Sequence, residues 1–190
     1  MILNELSDLV NSIKEKSKKI SILYVEDEEK LRDNMMMFLN KIFDHVDVAC
    51  NGEKGLKKYL QKRYDIVLTD IQMPKMNGIE LIQEIRKINE KQEIIVVSAY
   101  TDPNYLIDSI KLGVTGYIIK PMNFEQILKI LKQSIDKLAA FRQNETYKTK
   151  LETMVEERTK KVTNLQNELI SNYKQMIFSF VKMIDGRDPH

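Results

Sequence analysis

Apolar residues along this chain follow two periods. Short runs of β-branched and aliphatic side chains occur at 20–25, 46–50, 66–69, 94–98 and 116–119. Between them, at about 28–43, 52–62, 78–89 and 103–112, and again from 123 onward, apolar positions recur every three to four residues. Short apolar runs mark buried strands, and the longer period marks amphipathic helices. Their alternation predicts βαβ units and therefore a parallel sheet covered by helices on both faces. Ahead of them, Ile2, Leu6, Leu9 and Ile13 share one helical stripe, so residues 1–19 are expected to form a short N-terminal amphipathic helix.

Local punctuation supports these boundaries. Asn77 with Glu80, and Asn123 with Gln126, fit capping boxes at helix starts. Asp102 before Pro103 fits an N-cap followed by proline at the first helical position. Asn51-Gly52 and the stretch 74–78 mark turns.

No glycine or proline interrupts the chain between Asn123 and Gly186. At 1.5 Å per residue, an unbroken helix there would run roughly 90 Å. Leu151, Val155, Val162, Leu165 and Leu169 are spaced by threes and fours, with Arg158 and Asn172 interrupting the seam. A shifted stripe follows through Ile170, Tyr173, Ile177, Phe180 and Ile184. A heptad with such a stutter predicts a coiled coil. A lone helix this polar is marginal in water, so the expected partner is a second copy of the chain, in parallel.

With 190 residues, there is room for one well-buried domain plus an extension, and hardly for two enzymatic domains. The 30 basic and 28 acidic residues leave a net charge of +2, which gives no electrostatic footprint for direct nucleic-acid or membrane binding. Lys14, Lys16, Lys18 and Lys19 read as a solvated helix face. Cys50 is the only cysteine, which excludes an internal disulfide; it reads as a small core residue in a reducing compartment. No apolar run is long enough for a signal peptide or a membrane span, so the expected location is cytoplasmic.

The strand-like runs end on residues suited to phosphoryl chemistry. Glu26 and Asp27 follow the first, Asp70 the third, Ser98 closes the fourth, and Lys120 follows the fifth. If these are neighbouring parallel strands, their carboxyl ends converge where an open α/β sheet binds ligands. Three crowded carboxylates need a counter-ion, and oxygen ligands suit Mg2+. Asp70 is the best nucleophile, able to form an aspartyl phosphate, with Glu26 and Asp27 as metal-site residues. Lys120 and Ser98 would pair with phosphoryl oxygens.

The segments LYVEDEE, VLTDIQMPKMNG, VVSAY and GYIIKPMN, in that order over residues 20 to about 140, closely resemble the receiver domain of two-component response regulators. The resemblance implies a flavodoxin-like α/β fold, a five-stranded parallel sheet in order 2-1-3-4-5. It implies that Asp70 takes a phosphoryl group from a histidine kinase, catalysed by the receiver itself. Mg2+ would be held by Asp27, Asp70 and the backbone carbonyl of Gln72, with Glu26 acting through water. It further implies a cis Lys120–Pro121 bond and a switch in which Ser98 moves toward the phosphate while Tyr117 turns inward. Serine stands at 98 where threonine is more usual, and the bulky Tyr100 overlooks the phosphate position. Tyr100 and Gln72 would modulate the hydrolytic water.

The segment LETMVEERTKKVTNLQNEL resembles linker helices between signalling domains, and FSFVKMIDGRDPH resembles the opening helix of HD-GYP phosphodiesterases. The implied organisation is an N-terminal helix at 1–19, a receiver at 20–140, a coiled-coil linker at 141–184, and the start of an output domain at 185–190. That output would hydrolyse cyclic di-GMP; a diguanylate cyclase or a dimerisation scaffold are the alternatives. His190 and His45 are not expected to be ligands. An aspartate-nucleophile phosphatase fits less well, because that class wants D-x-D where this chain has Glu26-Asp27-Glu28, and the chain lacks a cap domain.

Overall fold

A computed structural model of the chain describes residues 10–14, 16–99 and 103–185, with side chains through 183. Helical residues 10–14 and 16–17 (α1) precede β1 (Ser21–Val25), α2 (Glu29–Leu39), β2 (His45–Ala49), α3 (Gly52–Gln61), β3 (Ile66–Thr69), α4 (Gly78–Ile88), β4 (Glu93–Ser98), α5 (Pro103–Lys111), β5 (Gly116–Ile119) and α6 (Phe124–Asp185). The strands form one parallel sheet in order β2-β1-β3-β4-β5, the flavodoxin-like arrangement expected. The chain divides into two compact units, Met1–Ala140 and Phe141–His190.

In the first unit the period-2 alternation of strands assigns side chains to two cores. Ile22 and Tyr24 on β1, Ile66 and Leu68 on β3, and Ile95 and Val97 on β4 join a cluster with Met35 and Leu39 of α2 and Ile127, Leu128, Leu131 and Ile135 of α6. Their neighbours Leu23, Val25, Val67, Ile94 and Val96 join the other cluster, with Tyr59 of α3 and Leu81, Ile82 and Ile85 of α4. β3 and β4 are buried along their whole length, which explains why they read as unbroken apolar runs.

Asn77 and Glu80 form the expected reciprocal capping box at the start of α4, each side chain at 2.9 Å from the other's backbone N–H. At the start of α6, Asn123 accepts instead from the N–H of Glu125, at 2.9 Å. The second helix stops at Leu39, short of the expected 43. Ile42 and Phe43 keep the apolar period but are buried in a turn, both of their N–H groups donating to the Leu39 carbonyl at 2.9 Å. Cys50 is half-buried rather than a core residue, because its strand ends one residue earlier and its Sγ meets Lys54 Nζ at 3.2 Å.

The described part of α1 lies on the first core. Ile13 is buried there, Ser17 donates its hydroxyl to the Ile42 carbonyl at 2.7 Å, and Lys16 pairs with Asp136 of α6 at 2.6 Å. Ile2, Leu6, Leu9, Tyr100, Asp102 and residues 186–190 lie outside the described residues. In the second unit Leu151, Val155, Val162, Leu165, Leu169, Ile170, Tyr173, Ile177 and Phe180 are all exposed on α6. Among the described residues, no helix is long and apolar enough to cross a membrane.

Removing the capping box with Asn77→Ala is expected to destabilise the chain by about 1 kcal/mol. A urea titration should show a lower midpoint with an unchanged slope.

Candidate functional site

Strand order reverses between β1 and β3, the neighbours at the middle of the sheet, and the candidate site sits at their carboxyl ends. Ladder hydrogen bonds continue one residue past the strands and fix where the polar side chains emerge. The N–H of Glu26 donates to the Ala49 carbonyl at 3.0 Å, that of Asp70 to Val25 at 2.9 Å, and that of Lys120 to Ser98 at 2.8 Å. Beyond β1, Arg32 reaches back from α2 and donates to the carbonyls of Glu26 and Asp27 at 2.9 and 3.1 Å, bracing the acidic turn.

Four of the expected residues come together directly. Glu26, Asp27 and Asp70 each offer a carboxylate oxygen, and those oxygens all lie within 4.8 Å of one another. Glu26 is 1% exposed and Asp70 7%, whereas Asp27 faces solvent. Lys120 Nζ lies 2.7 Å from Glu26 Oε2 and 2.7 Å from Asp70 Oδ2, closing the site from β5. Asp70 Oδ1 accepts the N–H of Ile71 at 2.6 Å. Three oxygen donors at this spacing fit a hard divalent cation, and Lys120 neutralises two of these carboxylates, those of Glu26 and Asp70.

Electrostatics follow from burial and this pairing. Burial pushes the Glu26 carboxyl above its ordinary value, opposed by its bonds to Lys120 and Tyr24. Burial works against the Lys120 charge, but its bonds to Asp70 and Glu26 outweigh that and raise its pKa.

Ser98 is fully buried at the end of β4, paired in register with Ile119 of β5, and Tyr117 on β5 is half-buried against the second core. Gln72 is exposed beside Asp70 and lines, with Asp27, Asn77 and Tyr105, a cleft of about 350 Å3. Tyr100 is outside the described residues. The Lys120–Pro121 bond is cis, as the resemblance implied.

The loop after Asp70 is held at both ends by glycines that have no room for a side chain. Gly78 donates to the Ile71 carbonyl at 2.8 Å, and a Cβ there would run into the Asp70 carbonyl. Gly52 donates to the Met76 carbonyl at 3.1 Å, and its Cβ would come within 2.5 Å of that oxygen. Sequence reasoning passed over two further residues. Arg32 left no signal, since its contacts are to backbone. Tyr24 donates its hydroxyl to Glu26 Oε2 at 2.8 Å. It did leave one: a polar-tipped ring two residues before a strand-end carboxylate shares that carboxylate's face.

Residues 22–132 match the family model of the response regulator receiver domain. The chain belongs to the response regulator receiver family. Over 113 residues the receiver is 34% identical to the chemotaxis protein CheY of Thermotoga maritima, a match covering 59% of this chain and 94% of that protein. It is also 34% identical to the response regulator ArlR of Staphylococcus saprophyticus, covering 56% of this chain and 48% of the relative. The chain thus spans about half or less of the length of several such regulators. Among solved structures, the response regulator TrrA of Thermotoga maritima, crystallised with Mg2+ and BeF, is 32% identical with a TM-score of 0.55, covering 60% of this chain and 98% of that one.

Replacing Lys120 with Met leaves two buried carboxylates facing each other without a cation. In chelator the variant should lose about 3 kcal/mol at neutral pH. With its counter-charge gone, the Glu26 carboxyl rises further above its unfolded value. The folded chain then keeps a proton that the unfolded chain releases, so stability falls as pH rises through that window. Urea midpoints across mildly acidic to neutral pH should therefore show the deficit narrowing toward acid. A second variant, Gly78→Ala, should cost about 1–3 kcal/mol by overpacking against the Asp70 carbonyl, read from the same titrations.

Proposed function

We propose that this chain is a phosphorylation-controlled switch in which Asp70 accepts a phosphoryl group from a histidine kinase. The observation that carries the reading is the convergence of Glu26, Asp27 and Asp70 within 4.8 Å, with Lys120 bridging two of them. A carboxylate oxygen of Asp70 attacks phosphorus while the P–N bond of the phosphohistidine breaks, leaving an aspartyl phosphate and a histidine. Asp27, Asp70 and the Gln72 carbonyl would hold Mg2+, with Glu26 acting through water. The ion's contribution, when bound, is to neutralise charge on the phosphoryl oxygens. Lys120 supplies a second positive charge from the opposite side of the cleft.

Ser98 and Tyr117 form the switch in this reading. The Ser98 hydroxyl donates to the new phosphoryl group, and the Tyr117 ring takes up the space it leaves. Gln72 and Tyr100 set how water reaches the phosphate.

Residues 20–140 act as the receiver and 141–184 as a linker helix that pairs with a second copy through its apolar stripe. The exposed Leu151, Val155, Val162, Leu165 and Leu169 support that pairing. The segment 185–190 would open an output domain of the HD-GYP type, acting on cyclic di-GMP.

Incubation with Mg2+ and a small phosphodonor such as acetyl phosphate should add the mass of one phosphate. The adduct should disappear in Asp70→Ala and in the presence of chelator. Turnover of a phosphorylated metabolite without a retained adduct would instead indicate a phosphatase. Tyr100→Ala is expected to change the lifetime of the adduct severalfold, followed by its decay after removal of the donor. Sedimentation of the full chain should give a dimer, and a chain ending at residue 140 a smaller assembly.

A further inference from the structure

Tyr24 is the one aromatic residue in β1, and its ring is fully buried in the first core. A buried tyrosine hydroxyl needs a partner, and this one donates to Glu26 Oε2 at 2.8 Å. The same oxygen accepts Lys120 Nζ at 2.7 Å, so both donors converge on Oε2. We infer that Tyr24 is a positioning residue for the cation site, holding the Glu26 carboxylate by one oxygen so that the other is presented toward Asp27 and Asp70. This deepens the reading of the site as a Mg2+-dependent phosphoacceptor and rests on it.

Glutamate has one more rotatable bond than aspartate, and fixing it costs side-chain entropy. Lys120 cannot supply that restraint alone, because it also serves Asp70 at 2.7 Å and would be drawn to an incoming phosphoryl group. Tyr24 is neutral, is packed in the core of the sheet, and among the described residues its hydroxyl donates to Glu26 alone. It therefore keeps its hold on Glu26 whatever Lys120 does. Groups that orient a metal-site carboxylate from behind typically change metal affinity tenfold or more when removed.

Tyr24→Phe removes the hydroxyl and keeps the ring, so a purely structural role would leave cation binding alone. Calorimetric titration of the full chain with MgCl2 is expected to show a Kd weakened about tenfold in Tyr24→Phe. In a Glu26→Gln background the same substitution should change the Kd less than twofold. A Tyr24→Phe Kd equal to the wild type's, or an equal loss in the Glu26→Gln background, overturns the inference and leaves the phosphoacceptor reading standing. A wild-type chain that takes up no Mg2+ overturns both. Carbon-13 labelling of tyrosine in the wild type gives a readout that needs no variant. The Tyr24 Cζ signal should move on saturation with Mg2+, and a signal that does not move also overturns the inference.

Discussion

Two carboxylates from different strands are buried side by side, and a single lysine from a third strand makes that tolerable. Charges 4 Å apart interact by about 4 kcal/mol at an effective dielectric near 20, so Glu26 and Asp70 would repel strongly without it. Lys120 stands at the end of β5, with β4 between it and β3. Strand spacing puts it roughly 10 Å from Asp70's strand and one strand further from Glu26's. A long, flexible ammonium can cross that gap, and the residue ending the intervening strand, Ser98, is small. The glutamate's extra methylene shortens the remaining distance from β1. Chain lengths at 26, 98 and 120 are thus matched to the sheet order, and changing any one of them alters what the other two must span.

The long loop after Asp70 serves the same constraint by holding a backbone still. In D-x-x-M-P-x-M-x-G, the first acidic residue does chemistry in the proposed reading, and the others support it. Met73 is buried in the second core and Met76 packs against it. Gly78 lies against the Asp70 carbonyl, Gly52 closes on Met76, and Asn77 starts α4. Asp70 cannot drift along its strand because its loop is closed within eight residues by the Gly78 N–H on Ile71. The motif's specificity in the sequence reflects this packing as much as catalysis.

The elements that read well in the sequence are those whose ends are chemically abrupt. β3 passes from Ile-Val-Leu-Thr straight to Asp70 and Ile71, and β5 from Ile118 and Ile119 to Lys120, so both strand and site residue were legible together. The end of α2 was not, since Ile42 and Phe43 continue a helical period while filling the core from a turn. Cys50 misled for the converse reason: an apolar run carried past the last paired residue, Ala49. Tyr24 was passed over within the run 20–25, because hydropathy registers its ring and ignores its hydroxyl. Arg32 acts on carbonyl oxygens, which every residue has, so no sequence pattern could announce it.

In the proposed reading, what happens at Asp70 has a short route to α6. Lys120 is bonded to Asp70, and only Pro121, Met122 and Asn123 separate it from the first residue of the helix. The first turns of α6 are fastened to the sheet by Ile127, Leu128, Leu131 and Ile135, all buried, and by Asp136 pairing with Lys16 of α1. A phosphoryl group on Asp70 would pull Lys120 away from Glu26, while Tyr24 would hold Glu26 in place. In that reading the resulting displacement would fall on the β5 side of the cleft, where Tyr117 and the connector lie. Four buried aliphatic side chains resist a tilt of α6 more strongly than one ion pair at the surface. In the proposed reading a signal reaching the helix base would therefore first be taken up by β5 and its three-residue connector, with Lys120 as the joint between the phosphoryl site and the helix.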